Sequence, residues 1–378
     1  MPIIIAWVLL VLFGVLAIYS TSIHESFTLT LALIAKWTWH GDPSNYFYFF
    51  RELRNIWLGV LMALITYYIP IKFFQKNKNI TIIAIILMVL QLLVFVPWIG
   101  VVLNWARWWI NISFLPSIQP AEFFKLWYVM FLGWWLIRKS NKVNRKDFFT
   151  SFIVINAVLF FIFLLIPDLW TVLIMWIVWL IMCRYIWTKL KYVLMILFGG
   201  LVSGILIWGL IWSVSPRFDY LQKRFTYFLS SNVDPQSRQI WRQNQQALIA
   251  IGWWWFAGKW YGKWLQKFGY IPEAQSDFIF SAFSEEIWFV WNMILLALYF
   301  WLCYYFLSRL HTVKDEYSKI IWVGIISLII IQMFVNIWVN TKILPNTWLT
   351  LPFVSYGWTA LMVNLMEIVL LYKILQRK

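Results

Sequence analysis

The run Ile320-Ile-Trp-Val-Gly-Ile-Ile-Ser-Leu-Ile-Ile-Ile-Gln-Met-Phe-Val-Asn-Ile-Trp338 decides the class of fold. It carries no charge and, as a helix, is long enough to cross the roughly 30 Å of hydrocarbon in a bilayer. Comparable runs recur along the chain, and we predict about ten membrane spans from them. These predicted spans are 3–22, 55–71, 80–97, 120–137, 149–166, 169–186, 191–213, 284–308, 319–338 and 357–375.

The composition supports the same conclusion. Of the 378 residues, 63% are hydrophobic and 12% are charged, whereas soluble domains have about 25% charged residues. We therefore predict an all-α polytopic membrane protein that forms a single membrane domain over residues 1–378. One large extracytoplasmic loop, about 214–283, separates the seventh and eighth spans. The first run lacks a basic leader and a small-residue cleavage site, so we interpret it as a span and not as a signal peptide.

The formal net charge of +16 is a signal of topology. Basic residues cluster in alternate short loops, which predicts cytoplasmic termini and places the 97–118 and 214–283 loops outside. This distribution does not indicate nucleic-acid binding. The long outer loop is itself cationic, which indicates either contact with anionic lipid headgroups or a site for a pyrophosphate. Lys259 and Lys263, four residues apart, are the candidates for the second interpretation.

A second stretch, Tyr270-Ile-Pro-Glu-Ala-Gln-Ser-Asp277-Phe-Ile-Phe-Ser-Ala-Phe-Ser-Glu285-Glu286, gathers four carboxylates, including Glu273, at the start of an apolar run. An acid where a loop meets a membrane helix is costly to desolvate, which makes it a candidate functional group. Asp277 has two interpretations: it caps the following helix, or it is a general base. Glu285 and Glu286 lie too far along to be caps, so we expect at least one to pair with a cation or bind a metal.

The fourth span contains two opposite charges, Glu122 and Lys125, at a spacing that places them on one face of a helix. They form either a structural ion pair within the bilayer or a pair in which Glu122 orients Lys125 toward a substrate phosphate. Arg107, in an outer loop, is either a charge at the rim or a second phosphate ligand. Asp168, after Pro167, is predicted to cap the sixth span.

Several reaction classes have no support in the chain. There is no phosphate-binding G-x-x-x-x-G-K-[ST], no H-E-x-x-H and no G-x-S-x-G with triad partners. The three histidines and two cysteines lack the spacing of a metal site, so no metal ligands are assigned. The residues alone leave two classes open: a polymerase of a membrane-bound phosphoryl sugar, and a lipid transporter.

Six motifs, in register from about residue 95 to 365, carry a resemblance to a known family. They are Asn104-x-Ala-Arg107-x-Trp109-Ile110, Gln119-Pro-Ala-Glu122-Phe-Phe-Lys125-Leu, Pro167-Asp168-Leu-x-Thr171, Gln246-Ala-Leu-Ile-Ala-Ile-Gly252, Pro272-Glu-Ala-Gln-Ser-Asp277-Phe-Ile-Phe with Ser284-Glu-Glu286, and Leu351-Pro-Phe-Val-Ser355-Tyr356-Gly357. This set resembles the SEDS family (shape, elongation, division and sporulation) of membrane proteins.

The resemblance implies a ten-helix glycosyltransferase of the bacterial cytoplasmic membrane that polymerises lipid II into peptidoglycan. It implies a class B penicillin-binding protein as partner, together with other divisome or elongasome membrane proteins. The resemblance places the family's essential acid at Asp277 and its membrane ion pair at Glu122 and Lys125. Ser276 and Ser355 lie in the matched motifs and are further candidates for substrate binding. Of the two main branches, the division protein FtsW and the elongation protein RodA, Thr350 favours the division branch.

The chain departs from the family pattern in its tryptophans, of which there are 30 against only 15 glycines. Tryptophan stands where the family pattern has glycine at eleven positions: 105, 170, 254, 255, 260, 264, 288, 291, 338, 348 and 358. Overpacking costs about 1–3 kcal/mol per site, and small residues let membrane helices approach closely. We interpret these tryptophans as glycines encoded by UGA and translated with the wrong code.

The mechanism implied by the resemblance assigns the base to Asp277, which accepts the proton of the acceptor sugar's 4-hydroxyl. Undecaprenyl pyrophosphate then leaves, and its charge is offset by Arg107, Lys125, Lys259 and Lys263. A divalent cation, Mg²⁺ or Mn²⁺, is a further candidate for that role. Two other functions remain as alternatives: a lipid II flippase, which requires polar residues deep in the bundle, and a division scaffold without catalytic activity.

Overall fold

The computed structural model describes only part of the chain. The described residues are 2–36, 38, 41–103, 106–112, 115–139, 156–157, 159, 161–163, 166, 168–186, 190–191, 193–195, 197–200, 228, 238–252, 274–286 and 289–376. The chain divides into two compact units. One comprises Met1–Ala63, Lys223–Tyr305 and Gln332–Leu365, here the Asp277 unit; the other comprises Leu64–Gln222, Phe306–Ile331 and Met366–Lys378, here the Glu122 unit. Each is described by itself.

Most of the described chain is helical. The helices are α1 (Pro2–Thr21), α2 (Ile23–Ala35), α3 (Phe47–Tyr68), α4 (Ile71–Phe74), α5 (Asn77–Leu93), α6 (Pro120–Lys139), α7 (Leu169–Tyr185), α8 (Arg238–Gly252), α9 (Ile279–Glu286), α10 (Phe289–Arg309), α11 (Glu316–Asn340) and α12 (Trp358–Gln376). Among them, four are long and apolar enough to cross a membrane: Ile4–Thr21, Val290–Thr312, Glu316–Asn340 and Trp358–Gln376. Helices α2, α5 and α7 are shorter and also apolar.

The helix bounds agree with most of the predicted spans that the structure describes. Helices α11 and α12 match spans 319–338 and 357–375 because each is an apolar run without an internal break. The predicted span 284–308 corresponds to α10, Phe289–Arg309, with α9 before it, and residues 287–288 between the two helices lie outside the described residues. Helix α2 was not predicted, because its polar residues, including His24 and Glu25, interrupt the apolar pattern.

The core of the Asp277 unit is built around α9. Phe283 of α9 meets Phe13 of α1 edge to face, with ring centroids 4.7 Å apart. A cluster of buried residues, Ala247, Ala274, Phe278 and Ala282, joins α8 to the turn before α9. On α1, a Cβ atom at Gly14 would lie 2.8 Å from the Phe353 carbonyl oxygen, closer than side chains approach backbone. Glycine at this position therefore allows α1 to pack directly on residues 353–354.

The Glu122 unit contains a three-stranded antiparallel sheet within the 97–118 segment, which was predicted only as an outer loop. Its strands are β1 (Gly100–Leu103), β2 (Ala106–Ile112) and β3 (Leu115–Ile118), in the order β1-β2-β3. The pairing of β1 with β2 runs from Gly100 opposite Ile110 to Leu103 opposite Ala106, with a bulge between Val101 and Val102. The buried Trp108 indole donates to the Ile166 carbonyl over 2.9 Å, which fixes the sheet to the segment before α7.

Close packing around α6 positions the predicted ion pair of the Glu122 unit. A Cβ atom at Gly324 of α11 would lie 2.5 Å from Val129 Cγ1 and 2.8 Å from the Met182 sulfur. Gly133 of α6 lies similarly close to Ile321 of α11. Small residues at these points allow the helices to approach closely. The face of α6 that carries Glu122 and Lys125 is thereby held inside the unit.

The eleven tryptophans at family glycine positions fall into four groups. Trp291 and Trp338 are 47% and 42% exposed, so an indole causes no overpacking there. Trp358 is 8% exposed and lies in a packed helix, where the overpacking argument applies. Trp170 and Trp348 are partly buried. The others, at 105, 254, 255, 260, 264 and 288, lie outside the described residues.

Candidate functional site

Asp277 lies in a turn, residues 274–278, immediately before α9. Asp277 is 7% exposed, so its carboxyl group is largely shielded from solvent. The Phe278 carbonyl accepts the Ala282 N–H over 2.9 Å, which makes Phe278 the residue that precedes the first helical turn. Asp277 therefore stands one position before the usual place of a helix cap.

Two asparagines of α11 hold the backbone at Asp277. Asn340 Nδ2 donates to the Asp277 carbonyl oxygen over 2.9 Å, and Asn336 Nδ2 donates to the same oxygen over 3.2 Å. Asn336 Nδ2 also donates to the Leu349 carbonyl over 2.7 Å. Both asparagines are at most 1% exposed. We call this pair the asparagine clamp.

The Asn340 side chain bridges two backbone groups that one turn of helix would join. Its Nδ2 binds the Asp277 carbonyl, and its Oδ1 accepts the Ser281 N–H over 3.1 Å. In an α-helix the N–H of residue 281 would bond to the carbonyl of residue 277. The amide thus connects the turn that carries Asp277 to the first turn of α9, and it sets the backbone position of the acid.

A second set of contacts fixes the turn from its other end. The Gln275 carbonyl accepts the Tyr356 N–H over 2.9 Å, and the Gln275 side-chain amide donates to Glu25 of α2. Ser355, a predicted substrate-binding residue, is 4% exposed and its Oγ accepts the Leu351 N–H over 2.8 Å. The motif that contains Ser355 is therefore in direct contact, through Tyr356, with the segment that carries Asp277.

The remaining acids of this stretch have different settings. Glu285 is 2% exposed and lies in α9, which the structure describes over Ile279–Glu286. Ser276, another predicted substrate-binding residue, is partly buried in the turn beside Asp277. Glu273 lies outside the described residues, as do Lys259 and Lys263 and most of the 214–283 loop.

The Glu122 unit contains the predicted membrane ion pair. Lys125 Nζ lies 2.8 Å from Glu122 Oε1, and the two residues are 1% and 5% exposed. Pro120 opens α6, so Glu122 lies in its first turn, where a carboxylate is favoured by the helix dipole. The predicted pairing of these two charges is confirmed.

Asp168 also behaves as predicted. Its Oδ1 accepts the Thr171 N–H over 3.1 Å at the start of α7, so the predicted cap is confirmed. Burial raises the pKa of the Asp168 carboxyl from its ordinary value, and the bond from Thr171 opposes this shift. The charges of Lys125 and Glu122 act on this carboxyl as well, with opposite signs.

Arg107 makes a structural contact with the backbone. It lies in β2, and its Nη1 donates to the Phe95 carbonyl over 2.7 Å, at the end of α5. A guanidinium has five N–H donors, so this bond occupies only part of its capacity. The contact orients the side chain and leaves it compatible with a second, anionic partner.

Sequence reasoning missed three sets of polar residues. The asparagine clamp was missed because amides within an apolar run resemble ordinary helix residues. Glu52, 3% exposed, accepts from Asn55 Nδ2 over 3.1 Å in α3. Glu367 of α12 is 1% exposed. The signal for both acids was present, because an ionisable residue within a membrane helix marks a functional group by default.

Within the described ranges, no three His, Cys, Asp or Glu side chains come together as a metal site. That Glu285 or Glu286 pairs with a cation or binds a metal stays a prediction. Asp277, the asparagine clamp and the Tyr356 segment together present one shielded carboxyl on a fixed backbone. This arrangement is suited to accepting a proton from a bound hydroxyl.

Comparisons with known proteins agree with this fold. The sequence model of the family FtsW/RodA/SpoVE, described as cell cycle proteins, matches residues 1–378. The chain is 31% identical to stage V sporulation protein E of Bacillus subtilis over 368 residues, covering 97% of this chain and 93% of that protein. It is 34% identical to the probable peptidoglycan glycosyltransferase FtsW of Buchnera aphidicola subsp. Schizaphis graminum over 345 residues, covering 89% and 92%.

Solved structures show the same architecture. The rod shape determining protein RodA of Thermus thermophilus superposes with a TM-score of 0.66 at 19% identity, over 99% of this chain and 96% of that one. A chain from a structure described as "Structural coordination of polymerization and crosslinking by a peptidoglycan synthase complex" gives a TM-score of 0.71 at 21% identity, over 99% and 97%. The predicted helical polytopic membrane fold is thus confirmed, and the chain belongs to the FtsW/RodA/SpoVE family, the SEDS proteins.

Proposed function

We propose that this protein is a peptidoglycan glycosyltransferase that polymerises lipid II into glycan strands during cell division or elongation. Its relatives include proteins named as probable peptidoglycan glycosyltransferases. The observation that carries the proposal is the setting of Asp277: a shielded acid on a backbone held by Asn336, Asn340 and Tyr356. Such fixed placement is what a general base requires.

The proposed reaction uses Asp277 as the base. Its carboxylate takes the proton of the acceptor sugar's 4-hydroxyl, and that oxygen forms a bond to the anomeric carbon of the growing strand. The bond from this carbon to the pyrophosphate breaks, and undecaprenyl pyrophosphate leaves with the electron pair. Lys125, Arg107, Lys259 and Lys263 are the candidates to offset the charge of the leaving group.

Glu122 orients Lys125 in this proposal, as their 2.8 Å contact supports. Ser276, Ser355 and Glu273 are the candidates for hydrogen bonds to the sugar. A divalent cation, Mg²⁺ or Mn²⁺, would neutralise charge on the pyrophosphate when bound. The described residues supply no cluster of ligands for it, so we derive no step from it.

The proposed topology places both termini in the cytoplasm, the 214–283 loop outside, and the whole chain in one membrane domain. The distribution of basic residues supports this orientation. A class B penicillin-binding protein is the proposed partner, in line with the related chain found in a peptidoglycan synthase complex. We propose the division branch on Thr350 alone, because the relatives divide between FtsW proteins and stage V sporulation protein E.

The test is polymerisation of purified lipid II by the full-length protein and by Asp277→Asn. We expect the variant to lose polymerisation while its thermal unfolding midpoint stays within the range of the wild type. Asp315→Asn is the matched control, because Asp315 is an exposed acid that bonds Ser318 and lies in the other unit. Full activity of Asp277→Asn would refute the assignment of the base.

The alternative function is a lipid II flippase, which the buried polar residues Glu122, Lys125 and Glu367 favour. Transport of a labelled lipid II across vesicles distinguishes the two. A flippase without polymerase activity would translocate lipid II in both the wild type and Asp277→Asn, and neither would make glycan strands.

A further inference from the structure

Helix α2 of the Asp277 unit has polar side chains on its inner face and large apolar side chains on its outer face. Ser26 and Thr30, four residues apart, are fully buried, whereas Phe27 and Leu31, also four apart, are exposed. Residues four apart lie on the same face of a helix. The outer face is therefore suited to contact with lipid, while the buried polar groups need hydrogen-bond partners within the protein.

One route of contacts leads from this polar face to the turn that carries Asp277. Ser26 Oγ accepts the Tyr48 N–H over 3.3 Å, at the start of α3. The Tyr48 ring meets the Tyr356 ring edge to face, with centroids 5.1 Å apart. The Tyr356 N–H in turn donates to the Gln275 carbonyl over 2.9 Å. All of these residues belong to the Asp277 unit.

A second route is direct and passes through Glu25, the neighbour of Ser26 in α2. Gln275 Nε2 donates to Glu25 Oε2, and Gln275 is itself 4% exposed. A carboxylate is a stronger acceptor than a neutral group. The two routes end at the same residue, one at its side chain and the other at its backbone. Helix α2 thus holds the chain two residues before Asp277.

The contacts of Gln275 and the asparagine clamp act on opposite sides of Asp277. The clamp binds the Asp277 carbonyl and the Ser281 N–H, which lie toward α9. Glu25 acts on the chain that leads into the turn. Loss of the Glu25 contact would leave the clamp in place, so the turn should remain folded while the Asp277 carboxyl can shift. A shift of about 1 Å at a reacting group lowers the rate by about a hundredfold.

We propose that Glu25 is a positioning residue for the reaction, and that it acts through Gln275 to hold the turn that carries Asp277. The proposal rests on the proposed function, in which Asp277 is the base. Glu25 contacts no reacting atom in this scheme. Its role is to fix the backbone before the base, and helix α2 is the element that carries it.

A double-mutant cycle in the full-length protein tests the proposal. Glu25→Leu, Gln275→Leu and the double variant are compared in initial rates of lipid II polymerisation and in thermal unfolding midpoint. We expect each single variant to lower kcat by about tenfold or more with little change in KM. The double variant should be no slower than the slower single variant, because all three lose the same contact.

Two further variants separate positioning from a general effect on folding. Glu25→Gln keeps an oxygen acceptor for Gln275, so it should retain most of the wild-type kcat. Thr30→Val is the matched control, because Thr30 is also a buried residue of α2 and its Oγ1 accepts the Ser44 N–H over 2.9 Å, in the segment before α3. We expect Thr30→Val to lower the unfolding midpoint with a kcat near that of the wild type. If Glu25→Leu does not fold, Glu25→Asp, whose shorter side chain withdraws the carboxylate, takes its place in the cycle.

Three results would overturn the proposal. They are a wild-type kcat for Glu25→Leu, losses in kcat that multiply in the double variant, and a loss in Thr30→Val equal to that in Glu25→Leu. Failure of the polymerase proposal would look different, because the wild type itself would then make no glycan strands. The unfolding midpoints would still report whether the effects of Glu25→Leu and Gln275→Leu are coupled.

Discussion

Replacing Asn340 with leucine tests whether the asparagine clamp positions Asp277. Leucine has a similar size but neither donates nor accepts a hydrogen bond. The change removes the 2.9 Å bond to the Asp277 carbonyl and the 3.1 Å bond from the Ser281 N–H. Each buried bond contributes about 0.5–1.5 kcal/mol, so the loss is about 1–3 kcal/mol. Asn336 retains its bond to Asp277, so the turn should loosen without unfolding.

The effect should be larger on catalysis than on folding. A displacement of about 1 Å at a reacting group lowers the rate by about a hundredfold, and we expect kcat for lipid II polymerisation to fall by about 10–100-fold. The assay is the initial rate over a range of lipid II concentrations, with the thermal unfolding midpoint measured in parallel. Because the clamp holds the base and has no contact assigned to the sugar, KM should change little.

Asn292→Leu is the matched control. Asn292 is also buried, and its Nδ2 donates to Ser284 Oγ over 2.8 Å, toward the end of α9 away from Asp277. We expect it to lower stability with a kcat near that of the wild type. The positioning argument fails if Asn340→Leu polymerises at the normal rate, or if both variants lose kcat equally.

Three further predictions concern other sites. Lys125→Met should destabilise the protein by about 3–5 kcal/mol, because it leaves Glu122 buried without its cation. Adding Glu122→Gln should restore most of the thermal unfolding midpoint. Equal destabilisation of the single and double variants would contradict this prediction. Asp168→Ala should cost about 1 kcal/mol through the lost cap, whereas Asp168→Asn keeps the cap. Burial raises the pKa of Asp168 in the folded state. The free energy of unfolding of the wild type should therefore fall as pH rises from the ordinary Asp range to that pKa. The free energy of unfolding of Asp168→Asn, measured in chemical denaturant, should exceed that of the wild type by more as pH rises over the same window. The codons for Trp170 and Trp358 should be UGA, and peptides from the native organism should carry glycine there by mass spectrometry; UGG codons would end that hypothesis.

Local patterns predicted local structure well. The bounds of α11 and α12 follow from uninterrupted apolar runs. The Glu122–Lys125 contact follows from their spacing on a helix, and the Asp168 cap follows from an acid placed before an apolar segment. In each case the interacting residues are close in sequence, so their geometry is set by the helix itself.

Long-range contacts were not predictable in this way. Asn336 and Asn340 are 59 and 63 residues from Asp277, and no local pattern relates them. The sheet around Arg107 was missed because its short strands are interrupted by a bulge and lie among apolar residues typical of membrane helices.

The contact between Gly14 and residues 353–354 also has a consequence for biosynthesis. Helix α1 leaves the ribosome long before the backbone at residues 353–354, on which it packs. Contacts between residues so distant in sequence form late and leave apolar surface exposed in the meantime. During synthesis α1 therefore lacks the backbone of residues 353–354 on which it packs. A nascent chain truncated before residue 353 would expose that surface of α1 to chaperones and proteases.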